Sequence, residues 1–152
     1  MIAGSVGGAV LAALLVLLNV MRGYDPWVPL KTAAYPLLGE LAIETGFAVI
    51  QVVLGILTHF AISIGWGILF ALLFYGLSRA ATLGVSLVWG AVVWLTMFYV
   101  VLPVAGAAPL VRGAPKGFAV LENLAFGVAL GLAFLPFQRP RPRRIHGHVP
   151  ST

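Results

Sequence analysis

Four long apolar runs occupy most of this chain of 152 residues. They cover about residues 2–21, 47–75, 83–102 and 117–137. An α-helix needs roughly 20 apolar residues to cross a bilayer core about 30 Å thick, and each run meets that length. A soluble domain could not bury so much apolar surface, because 61% of the residues are hydrophobic and only 9% are charged. The sequence therefore predicts an all-α, polytopic membrane four-helix bundle over residues 1–138.

The segments outside the spans are short. Residues 36–44 are predicted to form a short helix in the plane of the membrane interface. Residues 139–152 are basic and proline-rich, and are predicted to be a disordered cytoplasmic tail, because proline lacks an amide donor and holds the chain extended. Four arginines of this tail are predicted to contact lipid headgroups: Arg139, Arg141, Arg143 and Arg144.

The distribution of charge predicts the orientation of the spans. An even number of spans puts both termini on one side, and that side carries the arginine cluster and Arg79 without an acidic residue. The other side mixes basic residues with Asp25, Glu40 and Glu44. The positive-inside rule then predicts a multi-pass protein of the cytoplasmic (inner) membrane with both termini in the cytoplasm. Membrane lipids are the expected partners, and nucleic acid is not.

Small residues recur at helical spacing in the spans. Helices in lipid associate where small side chains let their backbones approach closely. The predicted packing positions are Gly4 and Gly8 in the first span, Ser63 and Gly67 in the second, and Gly127 and Gly131 in the fourth. Such positions can pack helices within one chain or form the interface of a homo-oligomer or a larger membrane complex, and both alternatives stay open.

A weak internal repeat relates the two halves of the chain. Aligning residues 59–70 with 123–134 matches Gly67 with Gly131 and puts Ser63 on Gly127, while residues 8–10 fall on 90–92. This alignment predicts two pseudo-repeated helical hairpins related by an axis along the membrane normal. Chance similarity in a biased composition is the alternative.

Polar side chains inside the spans are the candidates for function, because such groups are costly in lipid unless they have partners. At about 1.5 Å per residue, four of them come out roughly 20–25 Å above the cytoplasmic end of their helices: Asn19, His59, Thr96 and Glu122. Neighbouring polar positions extend this layer: Thr58, Ser63 and Asn123. The layer either joins helices through a hydrogen bond from His59 to Glu122 or Asn123, or binds a ligand or a proton.

Several kinds of chemistry are excluded. The chain has no cysteine, so a thiolate nucleophile or a cysteine-ligated metal is impossible. The spans contain one histidine, which is too few for bis-histidine haem or a three-ligand zinc site. Neither a Gly-x-Ser-x-Gly nucleophile motif nor a phosphate-binding loop is present. We therefore expect no catalytic residues, no metal and no cofactor.

The order of several motifs resembles that of a family of small, uncharacterised four-helix membrane proteins of bacteria and archaea. The resemblance covers about residues 6–137 and implies the architecture but no activity. In that family the position of Asn123 often carries a histidine; here Glu122 beside it would be the polar partner. The motifs are His59-Phe60, Trp66-Gly67-Ile68-Leu69-Phe70-Ala71, Trp94-Leu95-Thr96-Met97, Pro103-Val104-Ala105-Gly106 and Gly127-x-x-x-Gly131.

Three functions are consistent with these features. The leading hypothesis is a non-catalytic accessory or scaffold protein of the cytoplasmic membrane, because the loops are short and small-residue packing positions are frequent. The alternative is a small proton-coupled carrier or channel that uses the His59 and Glu122 layer. A membrane enzyme that acts on a lipid or a quinone is the third hypothesis.

Overall fold

The computed structural model describes residues 1–138, which contain helices and turns but no strand. The predicted tail lies outside the described residues, and so do its four arginines, Arg139, Arg141, Arg143 and Arg144. A π-helical segment, Met97–Val101, directly follows the helix Arg79–Thr96, and short 3-10 helices cover Gly39–Ala42 and Leu135–Phe137. The α-helices are α1 (Ile2–Met21), α2 (Trp27–Thr32), α3 (Tyr35–Leu38), α4 (Val49–Phe74), α5 (Arg79–Thr96), α6 (Leu102–Val104), α7 (Ala108–Gly113) and α8 (Lys116–Phe134).

Four helical segments of the described chain are long and apolar enough to cross a membrane: Ile2–Met21, Val49–Phe74, Arg79–Val104 and Lys116–Phe137. The predicted all-α four-helix bundle is therefore confirmed. Their outer faces carry large exposed apolar side chains, such as Leu72 at 75% exposure and Leu57 at 62%. This surface suits hydrocarbon rather than water.

The two ends of the bundle differ. One end, called here the hairpin end, holds the tight α4–α5 turn at residues 75–78, the start of α1 and the end of α8. The turn is possible because Gly76 has a φ of +88°, and Ser78 then caps α5 by accepting a hydrogen bond from the Ala81 N–H at 3.3 Å. The other end, called the loop end, holds the links at residues 22–48 and 105–115.

The first glycine seam joins α1 to α4. A Cβ atom added to Gly67 would lie 2.6 Å from the Cα atom of Gly4, and one added to Gly8 would lie 2.8 Å from the Ser63 Oγ atom. The two backbones can approach this closely only because these side chains are hydrogen or small.

The second glycine seam joins α5 to α8 at positions that the internal alignment makes equivalent. A Cβ atom on Gly127 would lie 2.3 Å from the Ser86 carbonyl oxygen, and one on Gly131 would lie 2.2 Å from the Ser86 Oγ atom. Gly90 contacts the backbone of Asn123. The small residues in both seams therefore pack helices within one chain.

The approximate symmetry of the two halves does not extend to the contacts between them. The α1 helix packs along α8, whereas the equivalent pair, α4 and α5, makes few backbone contacts. Aromatic side chains join α4 and α5: Trp89 lies 5.7 Å from Trp66 and 6.0 Å from Phe70, measured between ring centroids. Toward the loop end, the space between the four helices is open.

Hydrogen bonds hold together the first link at the loop end. Within residues 22–48, the buried Lys31 side chain donates hydrogen bonds to the carbonyl oxygens of Glu44 and Gly46, the second at 3.0 Å. The Asp25 carboxylate accepts hydrogen bonds from the N–H groups of Trp27 at 2.7 Å and Gly46 at 2.5 Å. These bonds tie the beginning of the link to its end.

The region of the predicted interfacial helix, residues 36–44, contains most of α3 and the 3-10 turn that follows. The Tyr35 hydroxyl donates a hydrogen bond of 2.6 Å to the Glu40 carboxylate, and this bond is the main cause of the raised pKa of Tyr35. Tyr35 and Ala42 are buried in one apolar cluster with Ala107, which belongs to the other loop-end link. The two links therefore pack together at this end of the bundle.

Candidate functional site

A cavity of about 680 Å³ lies between the spans in the loop-end half of the bundle. Its deepest lining residues are Trp66 on α4, Val93 on α5 and Phe126 on α8. Side chains of α1 and residues of both loop-end links line it as well. The lining is mostly apolar with a few polar groups, which is the usual composition of a small-molecule site, and the volume is within the usual range.

His59 lines this cavity and also joins two helices. Its Nε2 atom lies 2.8 Å from the carbonyl oxygen of Gly8 on α1. Because a carbonyl oxygen can only accept, Nε2 carries the hydrogen, and Nδ1 of the neutral ring is left as an acceptor. The ring also borders a smaller cavity of about 130 Å³ between α1, α2 and α4.

Glu122 is a half-buried carboxylate on the cavity wall. Among residues 1–138 it makes no hydrogen bond and no ion pair, although Arg22 lines the same cavity. The Arg22 guanidinium instead lies over aromatic rings, 4.8 Å from the centroid of Tyr24 and 5.4 Å from that of Phe118. The carboxylate therefore has no hydrogen-bond or ion-pair partner in this part of the chain, although the positive charge of Arg22 attracts it from a distance.

Asn123 lies beside Glu122 and is 9% exposed. Its Nδ2 atom donates a hydrogen bond of 2.8 Å to the Ala119 carbonyl oxygen, while its Oδ1 atom has no partner among the described residues. In the internal alignment this position is equivalent to His59. The two residues line the same cavity from α8 and α4.

The structure brings most of the predicted polar layer to this one cavity. Asn19, Thr58 and Ser63 line it together with His59, Glu122 and Asn123. Thr96 does not belong to the lining and lies at the end of α5, where the π-helical segment begins. That segment contributes Met97, Phe98 and Val101 to the wall. Single π-helical turns within α-helices frequently occur at functional sites.

The expected hydrogen bond between His59 and Glu122 or Asn123 is absent from the described residues. The reason is that the His59 Nε2 atom is engaged by the Gly8 carbonyl group, which lies on the helix next to α4. His59 and Glu122 therefore share a cavity, not a hydrogen bond. The space between their helices is available to another molecule.

Several residues of the site have no clear signal in the sequence. Arg22 follows the first span directly, as basic residues at span ends commonly do, so its place in the cavity wall is not evident from the pattern. The aromatic floor beneath the cavity is formed by Trp66 and Trp89, whose spacing along their helices equally suits interface anchors. Only the aromatic content of facing helices could have indicated it.

No group of three or more potential metal ligands occurs in residues 1–138. Comparison with family models, with curated proteins and with solved structures found no match to this chain. Those comparisons leave the resemblance to the small four-helix family as a prediction. The cavity and its side chains are therefore the basis for a functional proposal.

Proposed function

We propose that this protein binds a small amphipathic molecule in the cavity between its spans and acts as a carrier or binding protein in the membrane. The single observation that carries the proposal is a cavity of about 680 Å³ to which His59, Glu122 and Asn123 all contribute. A scaffold that uses polar residues only to join helices would pair them with each other. Here the polar groups border a space large enough for a ligand.

The chemistry of the wall supports an amphipathic ligand. The lining is largely apolar, which suits a hydrocarbon or aromatic body. The Glu122 carboxylate and the Asn123 Oδ1 atom have no hydrogen-bond partner in the described chain, and both residues line the cavity. A polar head group that reached this layer would satisfy them. No catalytic residue, cofactor or metal is part of the proposal.

For localisation we propose the cytoplasmic membrane, with the hairpin end and both termini in the cytoplasm. Arg79 at the hairpin end and the arginines at 139–144 support this orientation through the positive-inside rule. The natural absence of cysteine allows a direct test. In intact cells, an impermeant maleimide should label Arg112→Cys but not Arg79→Cys; the reverse pattern would refute the orientation.

The binding proposal can be tested by filling the cavity. Thr58 lines the cavity, whereas its neighbour Leu57 is 62% exposed on the outer face of α4. Thr58→Phe should therefore displace a ligand, and Leu57→Phe is the matched control. Both variants would be extracted from native membranes in mild detergent and compared with the unchanged protein by native mass spectrometry.

We expect a bound small molecule of defined mass on the unchanged protein and on Leu57→Phe, and its loss from Thr58→Phe. If the adduct is absent, or persists equally in Thr58→Phe, the cavity is not a ligand site. A folded Thr58→Phe protein, checked by circular dichroism, is required for either conclusion.

An accessory role in a larger membrane complex is the second candidate, favoured by the tight glycine seams, which make a compact unit with an apolar exterior. It predicts one stable protein companion in co-purification from native membranes. That companion should remain with Thr58→Phe, because the cavity would have no part in such an interaction.

A further inference from the structure

Three polar groups of the cavity wall, on Glu122, Asn123 and His59, are left as hydrogen-bond acceptors, whereas the Asn19 amide and the Thr58 and Ser63 hydroxyl groups can both donate and accept. The Glu122 carboxylate only accepts, and so does the Asn123 Oδ1 atom. His59 donates through Nε2 to Gly8, which leaves its Nδ1 atom as an acceptor in the neutral ring. A ligand that satisfies these three acceptors must bring donors.

The charged groups around the cavity favour a positively charged donor at depth. The charged lining residue next to α1 is Arg22, the first residue of the loop-end link 22–48; the titratable lining residue is His59 on α4 and Glu122 on α8. The lining residues from α5 and the other lining residues of the two loop-end links are uncharged. Arg22 follows the end of α1 and rests on the rings of Tyr24 and Phe118, so it belongs to the rim.

Glu122 lies deeper than this rim. It is one helical turn from Phe118 at the rim and one turn from Phe126 at the floor, about 6 Å along α8 from each. In such an apolar environment a carboxylate without an ion pair or hydrogen bond is costly, and a cation in contact with it is the partner that best offsets the loss of water. Trp66, Phe98 and Phe126 supply aromatic surface to the same wall, which suits both a cation and an apolar body.

We infer that the cavity binds a monovalent organic cation, of the class of protonated amines with an apolar or aromatic body, and that Glu122 is its counter-ion. His59 and Asn123 orient the ammonium group by accepting hydrogen bonds from it. The inference deepens the function proposed above and depends on it. It also predicts that a proton competes with the ligand for Glu122.

Three probes with one body and different head groups test the inference: 4-phenylbutylamine, 4-phenylbutanol and 4-phenylbutanoate. Their binding would be measured by calorimetry on the full-length protein in lipid nanodiscs, with empty nanodiscs as the background. Glu122→Gln removes the charge and keeps the shape of the side chain. Thr58→Phe fills the cavity, and Leu57→Phe is its matched control.

We expect saturable binding of the amine, with an affinity lowered about tenfold or more in Glu122→Gln, as for the loss of a hydrogen bond to a charged group. Amine binding should weaken as the pH is lowered, since a proton that neutralises Glu122 removes the counter-ion of the ligand. In Glu122→Gln this pH dependence should shrink, while the amine itself stays charged throughout.

The outcomes separate the two proposals. If the alcohol or the carboxylate binds as well as the amine, and Thr58→Phe abolishes that binding, the cavity is a ligand site but its ligand is not a cation. If amine binding is equal in Glu122→Gln, Glu122 is not the counter-ion and the inference is wrong. If none of the probes binds the protein, or binding is unchanged in Thr58→Phe, the inference and the proposed ligand site both fail.

Discussion

The Nε2 atom of His59 donates a hydrogen bond of 2.8 Å to the carbonyl oxygen of Gly8, so a side chain of α4 is tied to the backbone of α1. The contact lies in the first glycine seam, where Gly8 packs against Ser63. The same imidazole lines the large cavity. Helix packing and the candidate ligand site therefore share one residue.

Replacing His59 by phenylalanine should destabilise the protein, because it removes the donor to Gly8 but keeps a ring of similar size. We expect the free energy of unfolding to fall by about 0.5–2 kcal/mol, the range found for hydrogen bonds between helices in membranes. Steric trapping in bicelles would measure it. Leu57→Ala, on the outer face of the same helix, is the control, and equal stability of His59→Phe and the unchanged protein would contradict the prediction.

The glycine seams should tolerate no added methyl group. In Gly67→Ala the new Cβ atom would lie 2.6 Å from the Gly4 Cα atom, which cannot move without the backbone. We expect a loss of about 1–3 kcal/mol in the free energy of unfolding, as for other overpacked sites. Gly127→Ala should behave alike at the second seam.

Gly65 provides a matched control two residues away, since a Cβ atom there would meet nothing within 4 Å. Gly65→Ala should leave stability unchanged or raise it by up to about 1 kcal/mol, because alanine is the better helix former. If Gly67→Ala changed only the oligomeric state and not the unfolding, the seam would serve association between chains instead.

The positions of the four long apolar helices could be predicted from the sequence because hydrophobic length is a local property of each segment. The first predicted span, residues 2–21, agrees with α1, whereas the third begins earlier than predicted, at Arg79. That difference arises because Ser78 caps the helix before the apolar run starts. A basic residue in the first turn of a helix near the membrane surface does not interrupt it.

The partners of the candidate site residues could not be predicted in the same way. The sequence suggested Glu122 or Asn123 as the partner of His59, because side-chain patterns indicate side-chain pairs. The actual partner is a backbone carbonyl group, which every residue possesses and which therefore leaves no pattern. The glycine seams decide which helix lies beside α4. The spacing of small residues along the sequence does not show which two helices form a seam.

Gln138 is a further residue whose hydrogen-bond partners lie far from it in the sequence. Its Oε1 atom accepts a hydrogen bond of 2.8 Å from the Gly76 N–H, and its Nε2 atom donates to the Phe74 carbonyl oxygen at 3.1 Å and to the Thr82 Oγ1 atom at 3.0 Å. The end of the last span thus holds the α4–α5 turn. A polar residue after an apolar run gives no indication of such a contact.

Gln138→Leu should loosen the hairpin end, because the Gly76 amide and the Phe74 carbonyl group lose their partner. We expect exchange of the Gly76 amide hydrogen to accelerate about tenfold or more, consistent with the loss of one or two net hydrogen bonds. Hydrogen–deuterium exchange on peptides that cover residues 74–82 would measure it.

Gln138→Glu is the informative companion variant. A carboxylate still accepts from the Gly76 N–H but cannot donate to Phe74 or Thr82. Exchange at Gly76 should then be slower than in Gln138→Leu and faster than in the unchanged protein. Identical exchange in all three proteins would mean that the Gln138 side chain does not hold the turn.

Acid should destabilise the loop end through Asp25. Hydrogen bonds from the N–H of Gly46 and then of Trp27 are the main causes that hold the pKa of Asp25 below its ordinary value of 3.8. A group with a lowered pKa in the folded state stabilises the fold above its ordinary pKa, and this contribution is lost as the pH falls through the lowered value. The melting temperature, followed by circular dichroism from pH 7 to pH 3, should therefore fall most steeply below about pH 4.

In Asp25→Asn the melting temperature should be lower at pH 7, and it should fall less steeply as the pH is lowered. Glu44→Gln, which removes an exposed carboxylate without a hydrogen bond among residues 1–138, should keep the slope of the unchanged protein. Equal slopes in Asp25→Asn and the unchanged protein would exclude Asp25 as the acid-sensitive group.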